Sequence, residues 1–398
     1  MIIRSKIGIT IIISLGIVLL IGWKSVTNQG PQPSWKGKIV TENGVKVVKN
    51  PAEPLYGEFA CQLEENLSVG GNVNDDNYYF PGGASIAVDQ EGNLYVQDVG
   101  NIRILEYDKA GKYVKTIGRK GQGPGEFQFP AMVHVDRDGD IWVLDSPTSA
   151  LKVFSPDGTF KKSIPLRAFI QPQFYVSKEG FIFGIQINYR TPEGPRIAVL
   201  KLNPDGSLAE TIAQFQGELK PNQKGYAIHS YSNSLFLCGL NPNAFCYGFS
   251  MDYKLFLADG QGKTISIIQK AEKPIPVSGE EKDWIKKKGI FMALGVSKEE
   301  RAEVAVFPPH RPYFGRIVAD DTGRIYVSRT PSVLDENKMK VFDVFSVDGI
   351  YLYRTQLPFW PEVIKAGSIY EIRTNKETGD IRIVRHKVKN WDQIKYGI

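Results

Sequence analysis

The chain has 398 residues, 42% of them hydrophobic and 23% charged, which excludes a disordered polypeptide and leaves a globular one. Its formal net charge is +6, but the basic residues are dispersed among acidic ones, without a run of five or six cations or a basic stripe interleaved with aromatics, which speaks against nucleic acid as a partner. The three cysteines form no CxxC, so the usual zinc and thioredoxin-like spacings are missing.

At the amino terminus, Arg4 and Lys6 precede an uncharged run from Ile7 to Gly22, followed by Trp23 and Lys24. A basic start, an apolar core and an interfacial aromatic are the order of an export signal, and residues 1–24 read as a signal anchor or signal peptide. Residues 7–23 are about as long as the shortest membrane-spanning helices. Ser25 and Thr27 make a poor cleavage site and no cysteine follows the core. An uncleaved single-pass anchor is therefore favoured, with the rest of the chain outside the cytoplasm, in the periplasm or facing outward; cleavage would make the protein secreted. Residues 25–44 form a linker.

Beyond residue 44 the chain is dominated by internal self-similarity. Ile86-Ala-Val-Asp89-Gln-Glu-Gly92-Asn-Leu-Tyr-Val96 is matched by Val133-His-Val-Asp136-Arg-Asp-Gly139-Asp-Ile-Trp-Val143, with Asp89 and Asp136 standing 47 residues apart. Each unit supplies a strand, a Gly turn, an alternating strand, a third strand, an Asp-Gly-type turn and a fourth strand. Four short antiparallel strands at this period are the signature of a propeller blade. Looser units begin near Lys178 and Leu235, a clear one returns at Ile317–Val327, and the last, Ser368–Arg373 with Ile381–Arg385, shows only two strands.

The expectation is an all-β, six-bladed β-propeller over residues 45–390, with a seven-bladed ring as the alternative. Strands at Val45–Val48 and Phe59–Leu63 are expected to complete the last blade, because an open ring leaves exposed strand edges. The Gly-rich stretch 118–125 lacks the GK[ST] ending of a phosphate loop and reads as a flexible connection between blades. A helical insertion is expected at about 280–304, with Ser297–Glu300 as its capping box. Residues 391–398 remain as a tail. Cys238 and Cys246 flank a turn, and two readings stand: a disulfide across a hairpin, or two small core residues in adjacent strands.

The run Val96-Gln-Asp98-Val-Gly-Asn101-Ile-Arg103-Ile, with the Gly118…Gly121-Gln-Gly123-Pro-Gly125-Glu-Phe127…Pro130 linker, resembles an NHL repeat. The chain as a whole is similar to the bacterial six-bladed propellers of the NHL and TolB-like group, a resemblance that implies the fold and says little about function. Peptidyl-hydroxyglycine lyases are similar NHL propellers that place zinc-binding histidines five residues before the repeat Asp. Those positions are Ala84, Ala131 and Gly315 here, which carry no donor atom.

The candidate site residues are few. His134 sits within a strand and reads as structural. His229, near Tyr226 and Tyr231, and His310 with Arg311, in Pro308-Pro-His-Arg-Pro312, are candidates to line a pocket. Asp98 and Asp145 occupy equivalent repeat positions: they either bond the local backbone or, as the resemblance to lactonase-like propellers implies, help hold calcium in the axial channel. No triad, GxSxG or HExxH accompanies them. The favoured reading is an anchored binding or scaffold module for a peptide, protein or glycan, without a cofactor. The alternative is a calcium-dependent lactonase or hydrolase-like propeller, which requires acids converging at one mouth of the channel.

Overall fold

Asp89, Asp136 and Asp320 show why three of the repeats begin as a hairpin. One carboxylate oxygen accepts the backbone N–H four residues on, from Asn93 (2.8 Å), Asp140 (2.9 Å) or Arg324 (3.0 Å). The other oxygen meets an aromatic donor six residues on: Tyr95 (3.4 Å), Trp142 (2.8 Å) or Tyr326 (3.1 Å). Between them Gly92, Gly139 and Gly323 sit at φ of +90°, +82° and +85°, where a side chain is strained. The pattern Asp-x-x-Gly-x-x-aromatic thus pins the first turn of a blade from both sides.

The computed structural model describes residues 33–397 apart from 190, 192, 218–225, 241–242, 298 and 337–338. Its sheets form six blades, each with strands A to D from the inside outward. Blade 1 is Ala84–Val88, Leu94–Asp98, Arg103–Tyr107 and Tyr113–Ile117; blade 2 is Pro130–Val135, Ile141–Asp145, Ala150–Phe154 and Phe160–Pro165. Blade 3 is Phe174–Val176, Ile182–Asn188, Arg196–Leu202 and Leu208–Gln216; blade 4 is Leu235–Leu240, Ala244–Phe249, Lys254–Asp259 and Thr264–Lys270. Blade 5 is Phe314–Ala319, Ile325–Arg329, Lys340–Phe345 and Tyr351–Leu357. Blade 6 is Val363–Lys365, Ser368–Thr374 and Ile381–Val388, completed by Leu63–Gly70 from the amino-terminal side. Six blades, one of them composite, is the expected count.

Burial confirms the closed circle. One apolar cluster fills each interface between neighbours: blades 1 and 2 around Phe127 and Phe154, 2 and 3 around Leu151 and Ile182, 3 and 4 around Phe183 and Phe245. The others are blades 4 and 5 around Phe314 and Tyr351, 5 and 6 around Phe342 and Ile369, and 6 and 1 around Tyr107 and Ile383. Both faces of every blade are therefore buried, which is why the inner strands read as continuous apolar runs. All of these lie in one compact unit, Trp35–Ile398, which carries its own closing strand.

The closing route differs from the expected one. Val45–Asn50 does not reach the last blade; it lies parallel on strand D of blade 4, with Lys38–Glu42 paired outside it. Glu58–Phe59 adds in parallel to strand D of blade 5, and only Leu63–Gly70 closes blade 6. The chain covers three successive outer edges in turn, protecting polar strand edges that a single closing strand would have left bare. The tail is also packed: Ile394 is buried, and the Arg324 guanidinium lies over Trp391 (4.3 Å) and Tyr396 (4.9 Å).

The insertion is larger and differently built than its sequence suggests. The helix, α1, is Gly279–Lys288, and its capping box is Ser278 with Glu281, three residues apart as the motif requires. Ser297 does bond Glu300, but only before a short 3-10 turn, Glu300–Ala302. A strand follows α1, Ile290–Leu294, and pairs with Tyr226–His229 from the preceding connection, so two loops build one small module with its own core of Ala227, Tyr231, Ile285 and Val304. The 118–125 stretch is folded rather than loose. Gly118 packs against Phe127, where a Cβ would collide with the ring, and Phe127 N–H donates to the Arg119 carbonyl.

Candidate functional site

In an up-and-down blade the A–B and C–D turns leave one face of the ring, and the B–C turns and D-to-A connections leave the other. Asp98 and Asp145 end their B strands on the second face. Asp98 accepts from Asn101 N–H (3.2 Å), Asn101 Nδ2 (2.8 Å) and Arg103 Nε (3.0 Å). Asp145 accepts from Phe129 N–H (2.7 Å) and Thr148 Oγ1 (3.0 Å) and pairs with Lys152 Nζ at 3.0 Å. Burial alone would raise the Asp145 carboxyl; the Phe129 N–H, Lys152 and Gln128 N–H overturn that and hold it below the usual range. Both carboxylates fix the mouths of their blades. Among the described residues no three Asp, Glu, His or Cys side chains converge as metal donors.

His229, His310 and Arg311 all fall in the insertion module. The His229 Nδ1 accepts the Tyr231 N–H (3.2 Å) and its Nε2 donates to the Val306 carbonyl (2.8 Å), with the ring 4.8 Å from that of Phe307. Burial pushes its pKa down and keeps the imidazole neutral. His310 Nδ1 donates to the Arg311 carbonyl (2.9 Å). The Arg311 guanidinium pairs with Glu281 at 2.9 Å.

Glu281 is the hub of this module. Buried in α1, it accepts from Tyr231 OH (2.5 Å), Ser332 Oγ (2.7 Å) and the Ser278 N–H (3.0 Å). Its burial would raise the carboxyl, but the donors and Arg311 hold it down at about 2. Burial and the bond to Glu281 push Tyr231 up to about 12. The Tyr231 oxygen accepts the Val333 N–H (2.8 Å), so the network ties α1 to the B–C loop of blade 5. Arg311 was legible as a candidate, but Glu281, Tyr231 and Ser332 were not. The Ser278…Glu281 spacing was the one available signal.

Elsewhere, polar groups serve the ring. Cys238 and Cys246 are direct cross-strand partners in blade 4 and are free thiols, Cys246 fully buried. Burial and Lys365 lower His134 to about 4, and His386 pairs with Glu371 at 3.0 Å. Ala84, Ala131 and Gly315 lie near the starts of A strands, as the lyase resemblance places them, without donors. Between blades 4 and 5, Lys270 Nζ lies 3.3 Å from Asp343, over Tyr253 and Tyr351, with both residues fully buried. An apolar cleft beside Cys61, Tyr326 and Tyr353 holds about 10 Å³, room for a single water.

What the connection face offers is exposed apolar surface. Among the described residues, eight of the fourteen exposed large hydrophobics lie in D-to-A connections or B–C turns. Five of the six connections carry at least one: Val73, Phe129, Phe169, Ile275 with Phe291 and Met292, and Trp360. Leu334 adds to these from the B–C loop of blade 5. These side chains are distributed around one face of the ring, with the one local group, Ile275, Phe291 and Met292, in the connection between blades 4 and 5.

Residues 85–224 match the DUF5128 family, described as a 6-bladed beta-propeller. NHL repeat-containing protein 3 of Homo sapiens is 31% identical over 80 residues, covering 17% of this chain and 23% of that protein. The match thus spans about a quarter of the curated relatives' length. Among solved structures, a Bacteroides fragilis protein described as exported superposes with a TM-score of 0.51 at 11% identity, covering 86% of this chain and 99% of that one. A DUF4221 family member from Bacteroides vulgatus gives 0.50 at 12%, covering 82% and 98%. At these identities the likeness is of fold alone. The architecture defines the chain as a six-bladed β-propeller, with local sequence likeness to the DUF5128 and NHL-repeat proteins. No helix among the described residues is long and apolar enough to cross a membrane, and residues 7–23 lie outside them.

Proposed function

We propose that this protein is an exported binding module that holds a peptide or protein segment on its connection face. The observation that carries this reading is the ring of exposed apolar side chains, one or more on five of six connections. Rigid blades hold these loops in fixed positions, which limits the ordering cost of binding. The set is mostly phenyl and aliphatic with one indole, Trp360, which suits a polypeptide better than a glycan. Export is supported by the amino-terminal run of residues 7–23 and by the fold it shares with a protein described as exported. Catalysis is the weaker reading, because Asp98, Asp145, His229 and Glu281 spend their donors and acceptors on the scaffold.

Photo-crosslinking amino acids at Phe129, Phe169 and Trp360, compared with Val114 and Ile265 on outer strands, test the proposal in intact producing cells. Discrete adducts from the three loop positions alone are expected. Equal labelling from the outer-strand positions, or none from the loops, would overturn it.

A further inference from the structure

The insertion module carries a feature that its own packing does not explain. Ile228 pairs with Met292 and His229 with Ile290, so Phe291 is the extra residue of a β-bulge. Its side chain is 74% exposed and that of Met292 43% exposed, while Ile290 beside them is buried. Immediately before them, Lys286, Lys287 and Lys288 form the exposed last turn of α1 and make no ion pair among the described residues. Lysines in a last turn complement the helix dipole, which accounts for their position. It does not account for a bulge that turns a phenyl ring into water beside them. Clustered cations next to a protruding aromatic are the chemistry of an anionic lipid surface, where the ring enters the headgroup boundary and the ammonium groups meet phosphates.

The chain's own connectivity selects this occupant over a soluble acidic partner. The propeller begins at Trp35, whose indole N–H donates to Asn50 Oδ1 (3.2 Å), while the Asn50 carbonyl accepts the Ala271 N–H (3.0 Å). The amino-terminal segment thus joins the domain at the root of the insertion. Only residues 24–34 separate Trp35 from the apolar run ending at Trp23. Eleven residues reach at most roughly 40 Å. We propose that Lys286, Lys287, Lys288, Phe291 and Met292 seat the insertion on the anionic bilayer to which the chain is tethered. The inference rests on the export reading with residues 7–23 kept as an uncleaved anchor, and not on the partner ring.

Residues 35–398, which contain the whole closed ring, are sedimented with phosphatidylcholine vesicles with and without 30% phosphatidylglycerol. Binding to the anionic vesicles is expected, suppressed by 0.5 M salt. Changing all three lysines to Glu is expected to weaken it at least about tenfold, and Phe291→Ser about tenfold. Val114→Ser and Ile265→Ser, on outer strands, are expected to leave it unchanged, with circular dichroism reporting intact fold for every variant. Equal binding to neutral vesicles, no binding, or binding indifferent to the lysines overturns the proposal, as do protein adducts from position 291 without vesicle binding. Phe129→Ser with Trp360→Ser is expected to leave vesicle binding intact while removing the adducts from a crosslinker at position 169, so the two readings fail separately.

Discussion

Glu281 is the residue whose chemistry reaches furthest. Its carboxyl sits at about 2 in the folded protein, against about 4.3 in an unfolded chain. A lowered carboxylate contributes stability that is fully present above its unfolded value and is lost as pH falls toward the folded one. Amide protection in α1, corrected for intrinsic exchange, is therefore expected to fall between about pH 4.5 and 2, and Glu281→Gln to flatten that dependence. Glu281→Ala strands Arg311 and Tyr231 and is expected to destabilise the module by about 2–3 kcal/mol. The lower end is expected because Arg311 keeps 19% of its side chain in water. Urea denaturation followed by Trp284 fluorescence measures it.

Between elements, Lys270 and Asp343 join blades 4 and 5 where no solvent reaches. Lys270→Met leaves Asp343 with its two tyrosine donors and only the more distant Arg354 guanidinium, at 3.6 Å, as a cation, at an expected cost of about 3 kcal/mol. Lys270→Met with Asp343→Asn should cost less than the sum of the single changes, because the stranded charge is gone; a double-mutant cycle from thermal melts checks this. Strict additivity would show that the two groups do not interact. The insertion belongs to the same scale: two connections distant in sequence share one sheet and one small core, and their polar hub bonds a loop of the next blade.

For the whole molecule, stability depends on shutting the circle. Leu63–Gly70 covers strand C of blade 6 along its length, and its removal exposes that edge and opens the apolar interface with blade 1. A chain beginning at Asp75 is expected to associate or unfold, whereas one beginning at Trp35 stays monodisperse in sedimentation velocity. A monodisperse, cooperatively melting product from the shorter chain would contradict the closure. Replacing Phe129, Phe169 and Trp360 by Ser is expected to abolish the partner adducts formed by a crosslinker at the exposed Ile275 while leaving Tm within about 2 °C, since exposed side chains contribute little to the fold.

Sequence alone determined the blade. Asp89, Gly92 and Tyr95, and their counterparts around Asp136 and Asp320, act through turns and side chains at most six residues apart, so the repeat and its strand order follow from local chemistry, while the choice of six blades over seven is made by the closed ring. The missing strand of the last blade also showed in the pattern. Which upstream strand filled it did not: Val45–Asn50 and Leu63–Gly70 are both short strands of mixed polarity, and only packing against blades hundreds of residues away assigns them. The exposed ring of loops, the Glu281 hub and the bulged Phe291 are likewise products of tertiary structure. Each brings together positions from separate connections, and side-chain spacing along the chain carries no record of that meeting.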